Sequence, residues 1–260
     1  MRFLRALGLT LGGAGLTLLG ARLGLGHQAR LARKRIGKAL GEETLDADRV
    51  WQRRLGGKPL RLLVAGDSLA ASLGAARRKD TLGGRLARRL AQRVRVPVEL
   101  QTVAQVGAES ADLAEQLAGI DERNAPDLAV IVVGGNDVTH RVAVTDAVSD
   151  LEDAIILLRS YGAAVIVGTC PDLRTLRPVP QPLRSLVSGM SRQLARAQAQ
   201  AAARVGATAV DLRRSLGPIF LAEPEEMFSI DRFHPSSAGY RRMADALLPA
   251  LVAAARGRRR

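Results

Sequence analysis

Two segments of the chain carry side chains that together could activate a serine hydroxyl for nucleophilic attack. Ser68 follows Gly66 and Asp67 at the end of an apolar run, and Asp231 and His234 lie three residues apart much later in the chain. A three-residue offset on a loop lets a carboxylate contact the imidazole of its own segment. The aspartate can then fix the tautomer through Nδ1–H, which leaves Nε2 free as a base toward a hydroxyl.

Two further segments could supply hydrogen-bond donors to the same chemistry. Gly134 and Gly135 permit a tight turn, and Asn136 beside them offers a side-chain amide. Gly107, within Gln105–Ala108, could present a free backbone N–H. Each of the four segments also has an ordinary structural explanation, because Asp and Ser cap helices and glycines often follow strands. Taken one at a time, the segments leave both interpretations open.

The elements that must position these residues are strands and helices in alternation from residue 61 onward. Aliphatic runs without polar alternation are typical of parallel strands that are covered on both faces. We therefore predict an α/β fold, a three-layer α/β/α sandwich with a mainly parallel five-stranded sheet. The predicted strands are Leu62–Ala65, Val98–Val103, Leu128–Val133, Ala164–Gly168 and Thr208–Asp211. The predicted helices cover about residues 70–93, 109–119, 145–161, 183–205 and 236–255.

The polar segments lie where such a fold would form a site, because ligands of open α/β sheets bind at the carboxyl ends of the strands. In their sequence and order they resemble the SGNH hydrolases, also called the GDSL esterase/lipase family, from Arg61 to about Leu251. The most specific match is Asp231–Tyr240, which reads DRFHPSSAGY, together with the GDS and GGND motifs. The resemblance implies the flavodoxin-like SGNH hydrolase fold and a serine esterase that requires no metal ion and no organic cofactor.

The resemblance also implies a role for each motif residue. Ser68 would be the nucleophile, His234 the general base and acid, and Asp231 the partner that orients the imidazole. The oxyanion hole would consist of the Ser68 backbone N–H, the Gly107 N–H and the Asn136 side chain. The chain departs from the family at the second motif, where an asparagine commonly lies near the glycine and a Gln-Val pair stands here instead.

The substrate and the acyl acceptor stay open at this stage. A small-molecule or lipid ester fits the resemblance, and an acyltransferase or a thioesterase could use the same triad. A non-catalytic, membrane-tethered binding module of the same fold is the alternative from another class. The proline-rich loop Pro171–Pro182 and residues Phe220, Met227 and Phe228 could line an acyl pocket. No large lid domain is evident, so we expect esters with short or medium acyl chains. We also expect a monomeric protein.

The composition excludes several other classes of function. The chain has 39 basic and 25 acidic side chains, but residues 61–255 carry only 23 of the former and 21 of the latter. A nucleic-acid-binding domain would carry its positive excess on this folded part, and aromatic residues for base stacking make up only 3%. The single cysteine, Cys170, excludes an intramolecular disulfide and a multi-cysteine zinc site. Three widely separated histidines do not suggest a metal cluster.

The N-terminal segment suggests contact with a membrane. Arg2 and Arg5 precede an uncharged run at 6–21, slightly shorter than the ~17–25 residues of a bilayer-spanning helix. The basic flank that follows suits anionic headgroups but opposes simple export. We expect a membrane-anchored or exported protein, and the alternative is a cytoplasmic protein with an N-terminal helix.

The same patterns predict the domain organisation. Residues 1–40 are predicted to be a signal or anchor segment with its basic flank, and residues 41–60 a linker. The SGNH hydrolase domain is predicted at 61–255, followed by a basic tail at 256–260.

Overall fold

The computed structural model describes residues 23–37 and 39–258 of the chain. The apolar run at 6–21, on which the prediction of an anchor rests, lies outside the described residues. None of the helices in the described part combines the length and the hydropathy that a bilayer-spanning segment requires.

A six-stranded sheet forms the centre of the molecule, with strand order β1-β3-β2-β4-β5-β6. The strands are β1 Val50–Trp51, β2 Leu60–Gly66, β3 Val98–Thr102, β4 Leu128–Val132, β5 Ala164–Gly168 and β6 Thr208–Val210. Strands β2 to β6 are parallel throughout. Counted alone, these five strands have the order 2-1-3-4-5, which is the flavodoxin-like order. The predicted fold class and all five predicted strands are confirmed.

The sheet has one strand more than the five predicted, because β1 adds an antiparallel edge. Trp51 lies opposite Val98 in the register of β1 against β3. Strand β1 lies within the stretch 41–60 that was interpreted as a linker. It was not predicted because two residues are too few to show a period in the sequence. That stretch packs against the domain, since Ala47 is buried and its carbonyl accepts a hydrogen bond from Trp51 Nε1 at 3.1 Å.

Helices cover both faces of the sheet, and the side chains of β2 alternate between them. Leu62 and Val64 belong to an apolar core shared with α3 and α10, whereas Leu63 and Ala65 belong to a second core shared with α4 and α6. This double burial is the reason why β2 is aliphatic without polar alternation. Helix α1 covers residues 23–36. The other helices are α2 Ser68–Ala71, α3 Leu82–Val94, α4 Leu113–Leu117, α5 Gly135–His140, α6 Val144–Ser160, α7 Leu183–Arg204, α8 Leu212–Ala222, α9 Pro224–Met227 and α10 Ser237–Gly257.

The helix prediction differs most from the structure just after Ser68. One helix was predicted over 70–93, but α2 ends at Ala71 because Ser72 adopts a left-handed conformation with φ of 69°. Helix α3 then begins at Leu82, where the Thr81 side chain accepts from Gly84 N. The short helices α5 and α8 were not predicted, since α5 starts inside a glycine-rich turn and α8 contains a proline. The break after α2 leaves Ser68 on a separate single turn at the edge of the sheet.

Candidate active site

Ser68 occupies a tight turn between the end of β2 and the start of α2. Gly66 has φ of +129°, and a Cβ at this position would lie 1.9 Å from the Val132 carbonyl oxygen, so only glycine fits. Asp67 caps α2, since its Oδ1 accepts from Leu69 N at 2.8 Å. Helix capping was the ordinary explanation for this motif, and the structure combines it with exposure of the serine to a pocket. The turn therefore presents the hydroxyl at the carboxyl edge of the sheet.

Asp67 is buried, and among the described residues no positively charged side chain forms an ion pair with it. Burial raises the pKa of its carboxyl to about 6, although hydrogen bonds from the backbone N–H groups of Leu69 and Gly135 partly offset the effect. A carboxyl with such a pKa is protonated in part near neutral pH. The stability of the nucleophile turn is thereby coupled to pH.

The side chain of Gln116 holds this turn from behind, which sequence reasoning missed. Its Oε1 accepts from Gly66 N at 2.8 Å and its Nε2 donates to Gly66 O at 2.9 Å. Gln116 is buried on α4, one helical turn after the buried Leu113. A glutamine at the apolar spacing of a helix was the available signal, because such a residue has to find polar partners inside the protein.

The loop before α10 brings His234 to the serine. The two atoms that matter most, Ser68 Oγ and His234 Nε2, are 3.0 Å apart, and the other ring nitrogen lies 2.6 Å from Asp231 Oδ2. The second carboxylate oxygen, Oδ1, accepts from the backbone N–H groups of Phe233 and His234, both at 3.0 Å. The structure thus brings together the three predicted residues in the predicted order of contacts.

The electrostatics of Asp231 favour the charged carboxylate. Burial alone would raise the pKa of this carboxyl, but the hydrogen bond to the His234 ring and those from the Phe233 and His234 N–H groups outweigh burial. The net result is a pKa below the usual value. Asp231 is consequently a lasting negative charge beside Nδ1, which favours a proton on that nitrogen and leaves Nε2 as the acceptor.

The three N–H donors that were predicted to form the oxyanion hole keep a free hydrogen within the described residues. The backbone N–H groups of Ser68 and Gly107 have no hydrogen-bond partner within the described part of the chain. Asn136 donates one amide hydrogen to Ala108 O at 2.8 Å and keeps the other. Asn136 and Ser68 line the same pocket, whereas Gly107 is joined to it through its neighbour Ala108.

The Gln-Val pair before Gly107 does not detach this turn from the nucleophile. Gln105 N donates to Gly66 O at 3.0 Å, so the turn is tied directly to the residue that Gln116 also holds. Gly107 has φ of +88°, a left-handed conformation that favours glycine. Farther along, Ser110 N donates to Asp137 Oδ1 at 3.1 Å. The departure from the family pattern is therefore compatible with a fixed turn.

His140 lies at the rim and contacts another side chain there. Its Nδ1 is within hydrogen-bond distance of Glu109 Oε1, and the His140 side chain is 60% exposed. The structure thus pairs this histidine with Glu109, two residues after Gly107.

An apolar pocket of about 60 Å³ opens beside Ser68. It is lined by Phe220 and Phe228, as anticipated, and by several further apolar residues, among them Leu69, Leu173, Leu176, Leu216, Phe233 and Met243. Met227 was also expected there but lies in the core with no exposed surface. Cys170 is fully buried, and burial raises the pKa of its thiol well above the usual value.

A second buried glutamine, Gln198, connects two strand ends beside this pocket through hydrogen bonds. It accepts from Cys170 N at 2.7 Å and donates to Val133 O at 3.0 Å. It therefore ties the end of β4, which precedes the Asn136 turn, to the end of β5, which precedes the pocket loop. Like Gln116, it was missed because its partners are backbone groups far away in sequence.

Comparison with known proteins shows the family of this chain. The model of the GDSL-like lipase/acylhydrolase family matches residues 64–242 of the chain. The chain belongs to this family. A relative from Mycobacterium tuberculosis (strain ATCC 25618 / H37Rv), the GDSL-like esterase Rv1075c, is 39% identical over an alignment of 253 residues that covers 93% of this chain and 80% of that protein. The present chain, as a member of the GDSL family, is an esterase.

Solved structures of similar proteins share the fold of this esterase. The lipase/acylhydrolase from Enterococcus faecalis superposes with a TM-score of 0.59 at 20% identity, covering 75% of this chain and 96% of that one. TesA superposes with a TM-score of 0.58 at 25% identity, covering 75% of this chain and 99% of the TesA chain. The acetylxylan esterase Axe2 from Geobacillus stearothermophilus gives 0.53 at 20% identity, with 74% and 94% covered. In all three cases nearly the full length of the solved chain aligns with about three quarters of this esterase.

Proposed function

We propose that this esterase hydrolyses carboxylic esters through an acyl-enzyme on Ser68. The observation that carries the proposal is the continuous path from Ser68 Oγ through the His234 ring to Asp231, with steps of 3.0 Å and 2.6 Å. A hydroxyl is a weak nucleophile by itself, and a base at hydrogen-bond distance makes it effective. The lasting negative charge of Asp231 stabilises the imidazolium that forms.

The reaction proceeds in two balanced halves. The Ser68 oxygen bonds to the ester carbonyl carbon while His234 Nε2 accepts the hydroxyl proton. The bond to the alcohol oxygen then breaks, and His234 returns the proton to the leaving alcohol. A water molecule next attacks the acyl-enzyme, again losing a proton to His234, and the carboxylic acid leaves as the Ser68 hydroxyl is restored.

The unpaired donors provide an oxyanion hole for the two tetrahedral intermediates. The Ser68 N–H, the Gly107 N–H and the second amide hydrogen of Asn136 are the groups proposed to contact the carbonyl oxygen as it becomes negative. Donors that are already fixed need no reorganisation during the reaction, and each typically lowers the barrier by ~3–4 kcal/mol. The contacts of Gln105 and Asn136 with neighbouring backbone support this rigidity.

The apolar pocket supports short acyl groups as the preferred substrates. Its volume of about 60 Å³ is well below the ~150 Å³ of an apolar cavity that accommodates benzene. With p-nitrophenyl esters of increasing acyl length, we expect kcat/KM to be highest for acetate or butyrate and lower for octanoate and laurate. A maximum at laurate would contradict this part of the proposal.

Labelling of the serine tests the mechanism itself. We expect a fluorophosphonate probe to modify Ser68, and we expect the labelling to disappear in Ser68→Ala and to slow strongly in His234→Ala. Ser215→Ala is a matched control, because Ser215 is an exposed serine on α8 that does not line the pocket. Intact-mass analysis that finds no adduct on correctly folded wild-type protein would refute the acyl-enzyme.

We also propose that the N-terminal segment attaches the esterase to a membrane. The support is the basic start, the uncharged run at 6–21 and the basic flank. Removal of residues 1–22 should shift the protein from the membrane fraction to the supernatant after ultracentrifugation. Unchanged partitioning of the shortened protein would exclude this role.

A further inference from the structure

Helix α1, which follows the N-terminal apolar run, packs on the catalytic domain beside the loop that lines the acyl pocket. Ala32, near the middle of the helix, is only 6% exposed and belongs to the apolar core that also contains residues of β2 and α10. Two side chains of α1, those of Gln28 and Arg35, contact the helix after the proline-rich loop and the loop itself, respectively. The helix is thus part of the folded domain and not a free connection to a membrane.

The loop before α7 fixes part of its own backbone, since Val179 N donates to Leu176 O and Arg184 N donates to Pro180 O, and α1 adds two further contacts. Pro178, Pro180 and Pro182 have no N–H to donate. Pro182 is the N-cap of α7 and offers no side-chain cap, so the first N–H group of α7, that of Leu183, needs a partner from outside the loop. The Gln28 side chain provides one, because its Oε1 accepts from Leu183 N at 3.0 Å.

A second contact holds the carbonyl side of the same loop. Arg35 Nη1 donates to Pro178 O at 3.3 Å. Together with Gln28, this side chain connects α1 to both ends of the segment from Pro178 to Leu183. A residue 155 positions away in sequence therefore caps α7.

The braced segment is continuous with the wall of the acyl pocket. Leu173 and Leu176, a few residues before Pro178, line the pocket. Helix α7 also holds this wall directly, because Ser188 Oγ donates to Asp172 Oδ1 at 3.2 Å and Ser191 Oγ accepts from Leu173 N at 3.4 Å. A shift of the α7 N-terminus would therefore move the pocket wall, while the triad is held by other elements.

We propose that α1 determines acyl-chain selectivity by seating this loop, with Gln28 as the principal specificity-determining residue. The inference rests on the proposed hydrolysis at Ser68 and goes beyond it, because it assigns a role in substrate choice to the segment that precedes the catalytic domain. Without the Gln28 contact, the α7 N-terminus and the loop are less constrained, and the pocket accepts longer acyl chains. Gln28 acts through the loop and does not touch the reacting atoms.

The test compares variants of Gln28 in the full-length protein with p-nitrophenyl acetate and octanoate. Gln28→Met keeps the size of the side chain but removes the acceptor, and we expect the octanoate-to-acetate ratio of kcat/KM to rise about threefold to tenfold, the range that one net hydrogen bond can produce. Gln28→Glu keeps an acceptor and adds a negative charge that a helix N-terminus favours, so it should retain the wild-type ratio.

Arg33→Gln is the matched control, because Arg33 lies exposed on the same helix and should leave the ratio unchanged. If Gln28→Met is poorly folded by circular dichroism, Arg35→Met removes the second contact and should raise the ratio in the same direction. Equal loss of activity toward both esters, or an unchanged ratio in well-folded Gln28→Met, would overturn the inference. Fluorophosphonate labelling of Ser68 in each variant separates this outcome from failure of the proposed mechanism, which would abolish labelling in the wild type as well.

Discussion

Gln116 holds both backbone hydrogen-bonding groups of Gly66, at 2.8 Å and 2.9 Å, two residues before Ser68. The contact is buried and joins α4 to the end of β2 across 50 positions of sequence. The nucleophile turn is therefore fixed by a side chain that does not line the pocket. The Gly66 carbonyl also accepts a hydrogen bond from Gln105 N, so the turn that carries Gly107 is attached to the same residue.

Replacing Gln116 should weaken both stability and reactivity. Gln116→Leu keeps the volume but leaves the buried Gly66 N–H without a partner, which should lower the free energy of unfolding by about 1–3 kcal/mol. We also expect kcat and the rate of fluorophosphonate labelling to fall with little change in KM, because Ser68 loses its fixed position. Gln193→Leu, at an exposed position of α7, is the control. A labelling rate equal to that of the wild type would mean that Gln116 is structural only.

Asn136 should contribute to the transition state more than to substrate binding. Asn136→Ala removes one oxyanion donor, and we expect kcat/KM to fall about 10²–10³-fold, mostly through kcat. Asn124→Ala removes an exposed amide far from the pocket and should leave the kinetic constants unchanged. A rise of KM alone, with normal kcat, would place Asn136 in ground-state binding.

Gly66 should tolerate no side chain at all. In Gly66→Ala the new Cβ would overlap the Val132 carbonyl oxygen, so the variant is expected to fail to fold or to lose the esterase activity entirely. Gly189→Ala is the matched substitution, because nothing lies within 4 Å of a Cβ in this exposed position of α7. That variant should gain about 0.5–1 kcal/mol of stability from higher helix propensity. Thermal unfolding of both proteins, followed by circular dichroism, checks the pair of predictions.

Asp67 should make stability depend on pH below neutrality. Its pKa is about 6 in the folded protein against 3.8 as the ordinary value, so the folded state holds the proton more tightly than the unfolded chain. For such an acid, stability rises as the pH falls from about 6 toward 4, by at most ~1.4 kcal/mol per pH unit. Above about pH 7 both states are ionised, and the dependence ends.

The Asp67→Asn variant isolates this effect, because asparagine also caps helices but does not titrate. Relative to this variant, the wild type should gain about 2 kcal/mol of unfolding free energy between pH 7 and pH 4.5. Urea unfolding of both proteins at the two pH values measures the difference. A difference that stays constant would show that Asp67 titrates normally in the folded protein.

The sequence alone was sufficient for the parts of this esterase that depend on local patterns. The central parallel strands β2, β4 and β5 are recognisable because burial on both faces makes them almost wholly aliphatic. The Asp231–His234 contact follows from a spacing of three residues within one loop. The strand β1 has only two residues, and the break after α2 depends on a single left-handed residue, Ser72, so neither leaves a period to detect.

Tertiary structure decided the contacts that join distant segments. Ser68 and His234 are 166 positions apart, and only the packing of α10 on the sheet brings their side chains to 3.0 Å. Gln116, Gln198 and Gln28 each bind backbone groups of a remote turn, helix end or strand end. Hydrophobic periodicity reports that a position is buried, but it carries no information about which backbone group a buried polar side chain will meet. The chemistry could therefore be anticipated from its motifs, whereas the supports that hold it in place emerged only from the folded chain.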